Sequence, residues 1–201
     1  GRNRAIARRL GSEPVAVDGL FTALRTVKSE REIAALQEAA RVTDAGFSAA
    51  LAMMGPGVRE VEVALCLESA MRLAGAEGSA FGIIVASGVR GAMPHGAASQ
   101  KELAAGELVT LDFGAVVDGY HADMTRTVAI GAVGAEERRL FDAVLEAQEA
   151  SLAALAPGRT GREIDAVART ALARHGLEEY FTHSLGHGTG LVIHEEPRLS
   201  K

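Results

Sequence analysis

Two aspartates and a group of histidines are the residues here whose types and spacing could do chemistry. Asp112 and Asp123 lie in two β-rich runs, LVTLDFGAVV and YHADMTRTVAI, that flank Asp118-Gly119. An Asp-Gly pair between such runs is a strong hairpin signal, because a type I′ turn needs positive φ at both central residues. A two-residue loop there pairs Val117 with Tyr120, which sets Gly114 opposite Asp123 and Asp112 opposite Thr125. The two aspartates then project from one face as diagonal neighbours, with Cβ atoms up to about 7–8 Å apart. Aspartate is depleted in strands, and neighbouring buried carboxylates repel each other unless a cation compensates. The plainer reading is a solvated sheet face. Leu111, Phe113, Val116 and Val128 make the ribbon too apolar for that, so a divalent metal is the better account.

The histidines extend the same theme. His183 and His187 are four residues apart in HSLGH, and His194 follows seven residues later. Gly186, Gly188 and Gly190 argue against a helix there, and the pattern is not HExxH. A glycine-rich strand or loop that lets backbone approach a substrate or metal fits better. His95 sits in its own glycine-punctuated loop, Pro94-His95-Gly96. A phosphate-binding loop at GHGTG is disfavoured, since it lacks both the P-loop lysine and the dinucleotide-binding spacing.

The elements that must carry these residues are readable in part. Residues 12–28 are expected to form a short strand and turn. A helix is expected to start at Ser29, where Ser29-Glu30-Arg31-Glu32 is a capping box, and to stop at Gly55-Pro56-Gly57. A second is expected from about Arg59 to Ala74, then a strand over Ala80–Ala86. After the hairpin come helices over about Ala135–Leu155 and Thr160–His175, the latter opened by a second capping box, Thr160-Gly161-Arg162-Glu163. A faint repeat links the two halves. Pro157-Gly158 and Gly176 follow Pro56-Gly57 and Gly75 at one offset of 101 residues, and Leu152 follows Leu51 likewise. Two helix–helix–strand copies would make a pseudo-twofold domain. A counterpart of the hairpin would then fall near residues 208–231, after Lys201, so the second half reads as unfinished.

Composition narrows the field. A chain of 201 residues suits one domain with a sizeable core. Its net charge of −5 gives no basis for a nucleic-acid groove or for attraction to an anionic membrane. No apolar run approaches the roughly 18 residues that span a bilayer. A lone cysteine, Cys66, forms no internal disulfide and is consistent with a reducing, cytoplasmic setting. The opening GRNRAIARRLG is basic and free of acids, and is read as a short basic helix or the tail of an upstream segment.

PHG at 94–96, LDFG at 111–114, GYHADMTRT at 119–127 and GHGTGLVIHEEP at 186–197 together resemble the successive motifs of the pita-bread metallopeptidases. The ordered set is far more specific than any one motif, and it covers roughly residues 29–201. The resemblance implies an α+β pita-bread fold with a pseudo-twofold repeat, its curved antiparallel sheet covered by helices. It makes residues 26–201 a catalytic domain lacking its C-terminal part, and residues 1–25 a linker or the remnant of an N-terminal domain. It implies Asp112, Asp123 and His187 as metal ligands, with Asp123 touching both of two divalent ions. His95, His183 and His194 become substrate-binding and proton-handling groups. Glu195 and Glu196 resemble an acidic pair that does not ligate. Two glutamate ligands, and the glutamate expected as general base, belong to motifs beyond Lys201. The implied reaction is hydrolysis of an N-terminal Xaa-Pro peptide bond by a metal-activated water, with manganese favoured over cobalt or zinc. The implied substrates are short peptides with proline second, and the implied assembly is a homodimer. The alternatives are a methionine aminopeptidase, a hydrolase of amidino compounds, or a non-catalytic pita-bread binding module.

Overall fold

The computed structural model describes residues 18–93 and 96–201. Pro94 and His95 therefore lie outside the described residues, as do residues 1–17. Residues 12–17 of the expected strand and turn are among those outside; over the remainder the described chain opens instead on helix α1 (Asp18–Thr26). What holds this helix is not local: Arg25 and Lys28 both pair with Glu195 near the other end of the chain. No helix among the described residues is long and apolar enough to cross a membrane.

Helix α2 (Glu30–Met53) begins at the capping box read from sequence. Ser29 Oγ accepts from Glu32 N–H, and the Glu32 carboxylate returns to the Ser29 amide at 2.7 Å. Helix α3 (Glu60–Leu73) follows the Pro-Gly break and ends ahead of Gly75. Of the strand expected at 80–86 only residues 84–86 form, in β2 (Ile84–Ser87); a short β1 (Gly78–Ser79) precedes it and a 3₁₀ turn follows over Gly88–Ala92.

The hairpin forms in the expected register. Strands β3 (Leu108–Phe113) and β4 (Ala115–Val117) run into the turn, and β5 (Tyr120–His121) and β6 (Met124–Ala129) run back. Val117 pairs with Tyr120 and Asp112 with Thr125, and the turn residues have φ of 49° at Asp118 and 76° at Gly119. Two three-stranded antiparallel sheets result, ordered β1-β4-β5 and β2-β3-β6. Gly114 joins them, because a Cβ there would collide with the Ala122 carbonyl oxygen of the returning strand. Val109, Leu111 and Phe113 point inward to a core shared with Val42, Leu67 and Met71 of the two covering helices.

The second half repeats the helical part of this plan. Helix α4 (Ala135–Ala154) ends 101 residues after α2, and both bounds of α5 (Gly161–Arg174) fall 101 residues after those of α3. Gly57 and Gly158, at equivalent positions, have φ of 87° and 85°. This half has its own cluster of Ala143, Ala147, Ala168, Ala171 and Leu172. Its strands are β7 (Gly186–Gly188) and β8 (Glu195–Leu199), an antiparallel pair with an irregularity at His187/Gly188.

Candidate metal centre

Strand alternation puts Asp112 on the face opposite the core. Along β3 every second side chain is buried, leaving Leu108, Thr110 and Asp112 on the outer side. Thr125, its cross-strand partner, donates its hydroxyl to Asp112 Oδ1 at 2.9 Å. Asp123, just ahead of β6, faces His187 of β7, with Oδ2 and Nε2 3.4 Å apart. The His187 and His194 rings meet at 4.3 Å between centroids, tilted by 51°. One face of the first half thus meets the glycine-rich end of the second.

The electrostatics of this cluster are those of charges short of a counter-ion. Burial pushes the Asp112 carboxyl above its ordinary range; the Thr125 hydrogen bond opposes that, and the Asp123 charge reinforces it. Asp123 is raised by burial as well, against the pull of His187 and His194. His187 Nδ1 lies 3.0 Å from Gly188 O. An imidazole that gives its Nδ1 proton to a carbonyl presents the Nε2 lone pair on its far side. Here that lone pair would face a carboxylate, and two acceptors so placed need a proton or a cation between them. In kind, the donors suit a hard or borderline divalent ion. Among the described residues, however, no three His, Cys, Asp or Glu side chains gather closely enough to enclose one.

Asp112, Asp123, His187 and His194 are therefore brought together, while His183 makes its contacts elsewhere. Its exposed ring meets Phe181 edge-on at 4.7 Å, and its Nδ1 lies 2.8 Å from Ser184 O. His194 also lines a recess of about 340 Å³ with Phe21, Arg25, Glu195 and Arg198. The glycines of GHGTG meet protein. A Cβ on Gly188 would come within 2.5 Å of Glu196 O, and one on Gly190 within 2.5 Å of Glu195 Oε2. Gly190 O accepts from His121 N–H at 2.8 Å, which ties the loop to β5.

A motif set in this order, on this fold and around this carboxylate–imidazole cluster, matches the model of metallopeptidase family M24 over residues 34–201. The chain belongs to that family. An uncharacterized peptidase of Bacillus subtilis, YqhT, is 46% identical over 94% of this chain and 54% of its own length. The Xaa-Pro dipeptidase of Pyrococcus horikoshii is 42% identical over 92% of this chain and 53% of its own. Among solved structures, the prolidase of Pyrococcus horikoshii superposes with a TM-score of 0.95 at 39% identity, over 98% of this chain and 57% of that one. The prolidase of Pyrococcus furiosus gives 0.90 at 42%, over 92% and 55%. The α+β pita-bread class expected from the resemblance is the one observed, and the chain spans about half the length of the curated relatives it matches.

Several contacts of this M24 chain were not readable from its sequence. Thr125 was readable as the partner of Asp112, but not as its hydrogen-bond donor. Glu60 carried no signal beyond an acid in a helix's first turn. It is fully buried and takes Ser87 N–H and Oγ–H, both at 2.8 Å, Ser99 Oγ–H at 2.6 Å and Arg90 Nε–H at 3.2 Å. Ser87 and Ser99 are so tied to one carboxylate. Burial alone would raise the Glu60 carboxyl, yet the hydrogen bonds from Ser99 and Ser87 outweigh burial and hold it below its ordinary value. Glu195 is likewise occupied, by Lys28 at 2.9 Å, by Arg25 and by Val192 N–H at 3.2 Å.

Proposed function

We propose that the whole protein hydrolyses N-terminal Xaa-Pro peptide bonds, as an Xaa-Pro aminopeptidase or dipeptidase. The observation that carries this reading is Asp123 Oδ2 facing His187 Nε2 at 3.4 Å, beside an Asp112 that is raised by burial and by the Asp123 charge. The names of the M24 relatives, Xaa-Pro dipeptidase and prolidase, support the substrate class. Asp112, Asp123 and His187 would hold divalent metal, completed by donors that the resemblance assigns to residues beyond Lys201. When bound, such ions polarise a carbonyl and lower the pKa of a coordinated water. Manganese is the ion we favour, and a homodimer the assembly, both from the resemblance.

The chain's own residues supply the rest. Thr125 fixes the orientation of Asp112, and the Gly188 carbonyl selects the His187 tautomer that turns Nε2 toward Asp123. His194, its ring tilted against that of His187, is placed to stabilise an oxyanion or to hand a proton to the departing amine. His95 and His183 are assigned to substrate binding and proton handling. The test is manganese-dependent release of proline from Ala-Pro by the full-length gene product, beside its Asp123→Ala variant. Activity in the parent and none in the variant, with unchanged circular dichroism, is the expected result. Cleavage of Met-Ala with Ala-Pro left intact would move the reading to a methionine aminopeptidase. Wild-type turnover in the variant would sink the assignment of Asp123.

A further inference from the structure

Helix α5 carries a buried ion pair that the chemistry above does not use. Asp165 and Arg169, one turn apart, are 1% and 8% exposed. Arg169 Nε donates to Asp165 Oδ2 at 2.7 Å. The rest of both side chains is spent on one short stretch of backbone. Arg169 donates to Phe181 O at 2.7 Å and to His183 O at 2.8 Å, and Asp165 Oδ1 accepts from Leu185 N–H at 3.1 Å. The guanidinium also lies 4.5 Å from the centre of the Phe181 ring, whose own neighbour is the His183 imidazole.

Residues 181–185 belong to no strand. Three of their backbone groups, at alternate residues, are nevertheless satisfied along one edge as a neighbouring strand would satisfy them. The pair therefore stands in for a β neighbour and fixes the stretch that leads into β7. A buried ion pair is no efficient source of stability, since apolar residues of like volume often do as well or better. The repeat makes the point locally. The equivalent positions in α3 are Ala64 and Glu68, and Glu68 is a surface residue 3.8 Å from Arg72. At these two positions the buried pair occurs only in the copy whose following segment bears His183.

We propose that Asp165 and Arg169 are positioning residues for His183, setting the backbone and the Phe181 platform on which that imidazole is held. The functional half of this inference rests on the substrate-side role given to His183 above; the structural half does not. The test uses the full-length gene product, with His183 assigned in its proton–carbon spectrum. In Arg169→Lys, which keeps charge and loses the planar fork, the His183 ring resonances should move or broaden while those of His194 stay put. In kinetics on Ala-Pro, Arg169→Lys should lower kcat/KM about tenfold, and less than about twofold in a His183→Ala background. Asp165→Asn is the second variant, should the first not fold. An unmoved His183 resonance, an equal kinetic loss in both backgrounds, or loss of fold in both variants would overturn the proposal. A parent that does not cleave Ala-Pro overturns the peptidase reading instead, and the resonances still decide this one.

Discussion

Asp112 and Asp123 are the residues with most at stake in their protonation. Both carboxyls are raised above their ordinary values, burial being the largest cause. A raised acid contributes stability that is complete below its unfolded pKa and is lost as pH rises through its folded one. Without metal, the pair should therefore weaken the fold as pH climbs out of the carboxylate range. A divalent cation that displaces the protons should reverse this, so added manganese should raise the melting temperature most near neutral pH. The increment should vanish below the carboxylate range, and scanning calorimetry with and without the ion across pH checks it. Glu60 runs the opposite way. Its carboxyl is depressed, so its contribution is present above the unfolded value and fades as pH falls through the folded one. Glu60→Gln should cost about 2–4 kcal/mol at neutral pH in urea unfolding, with the gap to the parent closing in acid. A gap that stayed constant with pH would mean the charge is irrelevant. The aspartates were legible because strand alternation and a two-residue turn place side chains by counting. Glu60 and Asp165 were not, since each acts on backbone 20 to 39 residues distant through loops with no such rule.

Elements were legible where local chemistry decides them. The two capping boxes, the Pro-Gly breaks and the Asp118-Gly119 turn each specify structure within four or five residues, and each stands where expected. The helix over Asp18–Thr26 was not foreseen within 12–28 because α1 is held from outside. Its anchor, Glu195, is 170 residues from Arg25, and no pattern within the segment encodes it. The strand at 80–86 was misplaced because residues 80–83 pair in neither sheet, although Ile84–Ser87 does. The hairpin's most constrained position is Gly114. Gly114→Ala should cost about 3 kcal/mol or more, since the added methyl meets backbone that cannot turn away. Gly82→Ala, with nothing within 4 Å of its Cβ, should change stability by under about 0.5 kcal/mol. Equal costs in urea titration would refute the claimed closeness of the strands at Gly114.

At the scale of the molecule, the two copies differ in what covers them. Ala39 and Thr43 of α2 are fully buried, and the Thr43 hydroxyl accepts from Ala115 N–H of the hairpin at 3.0 Å. Their equivalents in α4, Leu140 and Val144, are 37% and 59% exposed. The 201-residue polypeptide should accordingly bind an apolar dye. Val144→Lys should reduce that binding with little change in melting temperature, whereas Val42→Lys, in the covered copy, should unfold the chain. Dye binding indifferent to Val144→Lys would place the apolar surface elsewhere. The hairpin carries one more consequence, for which changes of length the gene can tolerate. The tip, at Asp118-Gly119, can accept added residues without disturbing the pairing of Asp112 with Thr125. One residue inserted within β4 is another matter, because it forces either a bulge or a slip that carries Asp112 to the wrong side of the ribbon. Insertions along this stretch should thus be viable at its tip, and changes of length in its arms only as matched pairs, one in each strand.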